Sequence, residues 1–175
     1  HRITWTWRFD GNVGDMTSFA DRIHFFGDDA ATSGTDAGNS WIIGWVGDDQ
    51  SGNDIHQDKW YFFNRAANAN FVKENMVNTG LDLVAGRVYD FEVWVYPQLG
   101  KYDASIYDGF TSFAAKGLTF RNGTPGQYNA LHFGGSRSAA NASWTFSLDS
   151  VVISAVPEPA TLSMLALGGL ALAAS

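Results

Sequence analysis

The stretch Gly86-Arg87-Val88-Tyr89-Asp90-Phe91-Glu92-Val93-Trp94-Val95-Tyr96-Pro97 decides the fold class. From Arg87 to Tyr96 it alternates: Tyr89, Phe91, Val93 and Val95 fall on one face, Asp90, Glu92, Trp94 and Tyr96 on the other. A period of two is the pattern of a β-strand with one buried side. Pro97-Gln98-Leu99-Gly100 is turn chemistry, since proline presets φ and glycine tolerates positive φ. Lys101 to Tyr107 then supplies the return strand, with Tyr102, Ala104 and Ile106 opposite the apolar face, and Asp108-Gly109 ends it. The segment predicts a β-hairpin.

Working outward, the same grammar recurs. Ile3, Trp5, Trp7 and Phe9 share one face of a first strand, with polar residues between them. Ala20 to Phe26 is a second candidate, and Gly27 to Asn39 a long polar loop. Trp41-Ile42-Ile43-Gly44-Trp45-Val46 is apolar on both faces, as a central strand of a sandwich would be. Lys59 to Arg65 follows, then Phe71 to Val77, which Asn78-Thr79-Gly80 is expected to end. Phe113 to Arg121, Ala130 to Phe133 and Trp144 to Ile153 complete the set. Short strands separated by Gly/Asn/Asp turns, with no amphipathic helix, predict an all-β antiparallel two-sheet sandwich.

Composition agrees. Aromatic residues make up 15% of the chain and 19 residues are glycine, while glutamate is confined to Glu74, Glu92 and Glu158 and lysine to Lys59, Lys73, Lys101 and Lys116. This is β-forming and poor helix material. A net charge of −7 argues against nucleic acid, whose phosphates require a basic surface. With no cysteine, neither a disulfide framework nor a thiolate metal site can form. About 155 residues precede the apolar C-terminal stretch, enough for one domain, expected over 1–155.

That last stretch is of another kind. Val156-Pro157-Glu158-Pro159-Ala160-Thr161 leads into an uncharged run, Leu162 to Ser175, in which Gly169 and Ala173 are small residues four apart. The run predicts a hydrophobic C-terminal helix, marginal as a bilayer span, whose small residues would let a second helix approach. The motif resembles the PEP-CTERM sorting signal of Gram-negative bacteria, with Val156, Pro157, Glu158 and Pro159 as the sorting motif of a 156–175 segment. The resemblance implies export, a membrane-attached precursor, recognition by an exosortase, and a cell-surface or biofilm-matrix setting with exopolysaccharide nearby. The arginine cluster that closes the family signal does not follow Ser175, which implies truncation or processing, and a chain opening on His1 fits either removal of a leader or artificial trimming.

A second resemblance lies in the β region. Gly86 to Pro97, Lys101 to Gly109, Gly117-Leu118-Thr119-Phe120-Arg121-Asn122 and Leu148-Asp149-Ser150-Val151 look like the concanavalin A-like, LamG-type jelly roll. It implies two antiparallel sheets, one of them concave, and common use of the concave face for glycans.

Three chemistries are weighed on this scaffold. Hydrolysis on such a fold uses carboxylates at alternating strand positions. Asp90 and Glu92 are so spaced, but Trp94 stands where a third acid would, so the pair is expected on a solvated strand face and no catalytic residue is assigned. Glycan binding needs a planar aromatic beside hydrogen-bonding groups; Trp94, Tyr96, Asp90 and Glu92, with Tyr107 from the return strand, form such a platform unless Trp94 is core between the sheets. Asp48, Asp49, Asp54 and Asp58 offer calcium the oxygen ligands it prefers, although their spacing matches no EF-hand and an ordinary solvated loop would read the same. No other cofactor is expected, and a copper brace built on His1 lacks any surrounding motif. The chain therefore predicts an exported, non-enzymatic matrix or surface protein that binds exopolysaccharide or another glycan. The alternative is a homo-oligomeric fibre or surface-layer subunit that assembles through the C-terminal helix.

Overall fold

The computed structural model describes residues 1–18, 20–28, 40–47, 58–64, 75–121, 130–137 and 145–155. Among these residues ten strands run in chain order: β1 (Arg2–Phe9), β2 (Arg22–Asp28), β3 (Ile42–Val46), β4 (Lys59–Phe63), β5 (Met76–Asp82), β6 (Val88–Tyr96), β7 (Lys101–Tyr107), β8 (Ser112–Thr119), β9 (Ala130–Ser136) and β10 (Phe146–Ser154). They form two five-stranded antiparallel sheets, sheet 1 in the order β10-β1-β6-β7-β8 and sheet 2 in the order β5-β4-β3-β2-β9. The described residues are all-β, a sandwich.

The alternation of β1 and β6 explains the interior. Trp5, Trp7 and Phe9 project from β1 and Tyr89, Phe91 and Val93 from β6, all buried, to meet Phe25, Trp45 and Trp60 of sheet 2. Trp5 stacks on Phe91 with ring centroids 5.0 Å apart and planes 7° from parallel, whereas Trp7 meets Trp60 edge-on at 5.5 Å. Such pairs add to the transfer term of large buried rings. This contiguous aromatic core is what a cysteine-free sandwich relies upon. Tyr102 ties the sheets together: from β7 of sheet 1 its hydroxyl donates to the Ile42 carbonyl of sheet 2 at 3.2 Å and also meets the Phe63 carbonyl. Burial pushes its pKa well above the ordinary phenol range.

The hairpin expected from Arg87 to Tyr107 is present as β6 and β7, in register from Asp90 opposite Tyr107 to Tyr96 opposite Lys101. Pro97–Leu99 forms a single 3-10 turn, and Gly100 closes it at φ +59, a conformation that favours glycine. Past the far end of the pair, Asp108 is buried against Arg87 at 2.7 Å. Desolvation opposes its ionised form, but the Thr111 and Phe110 amides, together with Arg87, outweigh that and hold its pKa below the usual carboxylate range.

One boundary differs from expectation. Asn78-Thr79-Gly80 does not end a strand; β5 runs through it to Asp82. The pairing with β4 shifts between Lys59 and Tyr61, and Gly80 sits at φ +76, so these residues make a bulge rather than a turn. Thr79 stabilises it by donating to the Trp60 carbonyl at 2.7 Å. Asn and Gly mark both kinds of irregularity, and only the partner strand distinguishes them. The part of the expected Phe71 to Val77 strand before residue 75 lies outside the described residues.

The central strands β3 and β4 of sheet 2 are buried and apolar on both sides, as the Trp41 to Val46 run predicts. A second cluster, Ile42, Val46, Tyr61, Phe63 and Met76, is buried on the face turned away from the main core. Packing there is tight: a Cβ on Gly44 would lie 2.3 Å from the Tyr61 hydroxyl, which itself bonds the His24 ring at 3.0 Å. Among the described residues no helix is long and apolar enough to cross a membrane, and the sorting motif Val156 to Pro159, with Gly169 and Ala173, lies outside the described residues.

Candidate glycan-binding face

The outward half of sheet 1 carries the polar residues that alternate with its core. β1 turns Arg2, Thr4 and Thr6 outward, and the register sets them opposite Trp94, Glu92 and Asp90 of β6. On the other side of β6, Asp90 faces Tyr107, Glu92 faces Ser105 and Trp94 faces Asp103. All five residues expected for a glycan platform, Asp90, Glu92, Trp94, Tyr96 and Tyr107, thus share one outer surface. Trp94 is half-buried there, not sandwiched between the sheets. The core reading of Trp94 is therefore corrected: β6 is covered by the second sheet on one side only.

The surface is internally bonded. Arg2 grips Glu92 with two parallel hydrogen bonds, Nε to Oε1 at 3.1 Å and Nη2 to Oε2 at 3.0 Å, and its guanidinium carbon lies 5.8 Å from the Trp94 ring centroid. The Trp94 indole N–H also donates to Glu92 Oε1. The hydrogen bond from Arg2 is the chief reason the Glu92 carboxyl is held below the usual carboxylate range; desolvation opposes it and the Trp94 bond assists it. The same bond raises the Arg2 guanidinium. Glu92 is therefore an ionised acceptor that orients Trp94.

Next to it, Thr6 donates to Asp90 at 2.9 Å. Asp103 accepts from the Gly117 amide at 2.7 Å and the Tyr96 hydroxyl at 3.1 Å; burial, then Asp103, raises the Tyr96 hydroxyl. The Tyr107 hydroxyl donates to the Gly109 carbonyl at 2.7 Å. Each aromatic thus has its polar tip held by the protein and keeps its ring near the surface.

Two shallow depressions lie on this surface, each of ≈ 420 Å³. One is lined by Trp94, Tyr96, Asp103 and Lys116, the other by Arg2, Thr4, Asp90 and Tyr107, and Glu92 and Ser105 line both. Arg2, Thr4, Asp103, Ser105 and Lys116 were not singled out from the sequence. The only signal for β1 was its polar alternation, and the β1–β6 contact joins residues some ninety positions apart, which no local pattern reveals.

Of the calcium candidates, Asp58 sits just before β4 at φ 61, its amide donating to the Val46 carbonyl at 3.2 Å. Asp48, Asp49 and Asp54 lie outside the described residues. Among the described residues no group of three or more His, Asp or Glu side chains is placed to hold a metal ion. A scan against protein-family models finds no match for the chain, and a search of curated proteins finds none either.

Proposed function

We propose that this chain is an exported, non-catalytic protein of the bacterial surface or biofilm matrix, binding exopolysaccharide or another glycan through the outer face of sheet 1. The observation that carries the reading is the Arg2–Glu92–Trp94 assembly, which presents an oriented aromatic on an open sheet face beside Tyr96 and Tyr107. Sugar rings pack their C–H faces on aromatic planes and their hydroxyls on neighbouring carboxylates and amides, and this surface offers both. Nested pairing, β1 with β10 and β2 with β9, followed by the β6-β7-β8 meander, supports a concanavalin A-like jelly roll. The PEP-CTERM-like tail supports handling by an exosortase from a membrane-attached precursor, with a hydrophobic helix after Pro159. Calcium in the Asp48 to Asp58 loop belongs to the same proposal as an accessory ion, on the oxygen ligands the sequence offers there. A glycan array and a polysaccharide pull-down test the central reading. Binding that Trp94→Ala weakens at least about tenfold is expected; no binding, or binding indifferent to that substitution, sinks it.

A second reading, the self-assembling fibre or surface-layer subunit, gains one observation. Edge strand β10 leaves Leu148, Val151, Val152 and Ile153 exposed, without the lysine or proline that guards many edges. Sedimentation of the native chain as a monomer at all concentrations removes this reading.

A further inference from the structure

The registers of sheet 1 align a continuous row of side chains across all five strands: Val152 of β10 opposite Thr4 of β1, Thr4 opposite Glu92 of β6, Glu92 opposite Ser105 of β7, and Ser105 opposite Ala114 of β8. Four of the five are small or short. The fifth, Glu92, is drawn out of the row, because its carboxylate bonds Arg2 and Trp94, which belong to the next row. That next row, Arg2–Trp94–Asp103, forms one bank, and the row Thr6–Asp90–Tyr107–Ser112 forms the other. A low floor between banks whose tall members are Arg2, Trp94 and Asp103 on one side and Asp90 and Tyr107 on the other makes a trough perpendicular to the strands, and the two depressions that share Glu92 and Ser105 are its two halves.

From these observations, and resting on the glycan reading above, we infer that the trough takes the interior of an unbranched, uncharged polysaccharide chain rather than a chain end or an anionic polymer. Length points to an interior segment. Five strands at the usual spacing span ~19 Å, and the row ends at exposed residues on both edge strands, so among the described residues no wall stops a chain from continuing past Val152 or Ala114. Charge points to a neutral chain. The lining carries three carboxylates, Asp90, Glu92 and Asp103, against two cations, Arg2 and Lys116, and Arg2 is already engaged by Glu92. An approaching polyanion would meet like charge on a chain of net charge −7. Hydroxyls of Thr4, Ser105 and Ser112 on floor and bank suit a partner that is itself all hydroxyls. Branches would collide with the Trp94 and Tyr107 banks.

Calorimetry of the full chain tests this, using unbranched β-glucan, mannan and xylan oligosaccharides, each from disaccharide to hexasaccharide, and a polyuronate of matched length. Expected is at least one neutral series whose Kd falls at least about tenfold from disaccharide to hexasaccharide, with no polyuronate binding. Ser105→Trp, which fills the middle of the floor, is expected to cost at least about tenfold for the hexasaccharide while the thermal unfolding midpoint stays put. Should that variant lower the midpoint, Ala114→Trp at the edge strand takes its place. Equal affinity for disaccharide and hexasaccharide, tighter binding of polyuronate than of every neutral series, or indifference to a filled floor overturns the inference; the glycan reading survives those outcomes wherever Trp94→Ala still weakens binding. Binding to no saccharide at all overturns both.

Discussion

The two sheets turn different outer faces to their surroundings. Sheet 2 carries Ile42, Val46, Tyr61, Phe63 and Met76 on its outer side, all buried, around a glycine that admits no Cβ. Sheet 1 carries Arg2, Glu92, Trp94, Asp103 and Tyr107 on its outer side, each hydrogen-bonded within the protein and open to solvent. Both sheets contribute to one interior. The contrast teaches where recognition can reside: an apolar outer face must be covered, since exposed apolar area in water is costly, and a covered face has no room for a ligand. A face with satisfied polar groups can stay open, and its aromatics are then available.

The largest effect that would break this contrast lies on the covered side. Phe63→Ala, at a fully buried ring, is expected to cost about 3–5 kcal/mol in urea unfolding. A loss under about 1 kcal/mol would mean that the face is open after all. Trp94→Ala on the open side is expected to cost no more than about 1 kcal/mol in the same experiment, despite its larger ring; a loss of core size would return Trp94 to a structural role. The smallest effect sharpens the electrostatics of the open face. Glu92 has a folded pKa below its unfolded one, so its pairing with Arg2 contributes stability above the unfolded value, near 4.3, and loses it as pH falls through the folded value. Exposed as the pair is, the contribution is expected at or under about 1 kcal/mol, shrinking with added salt. Unfolding midpoints followed from neutral to acid pH should fall less steeply in Glu92→Gln than in the parent; identical slopes would show that the bridge contributes nothing. Asp108, buried and low for its own reasons, supplies an acid-sensitive background common to both proteins.

Much of this was legible in the residues. Strict alternation in Ile3 to Phe9 and in Arg87 to Tyr96 assigned inner and outer positions correctly, because a strand's side chains must alternate. The apolar run Trp41 to Val46 marked a strand buried on both sides. The local hairpin brought Tyr107 beside Asp90, since a short turn fixes register. The bulge at Asn78-Thr79-Gly80 was misread as a stop, because the irregularity is defined by two strands and only one was in view. Arg2 went unnoticed as a site residue for the same reason: its partners come from β6, far along the chain.

By itself, then, the sequence determined the class of the fold, the identity of the inward and outward faces and the hairpin at its centre, all of which depend on side chains a few positions apart. The tertiary structure alone decided which outer face is open, that Arg2 holds Glu92 and Trp94 in place, and that Val152, Thr4, Glu92, Ser105 and Ala114 line up as a floor. Those depend on how distant strands pair, and pairing order follows from burying one aromatic interior between two sheets, a condition on the whole chain that no single stretch of it carries.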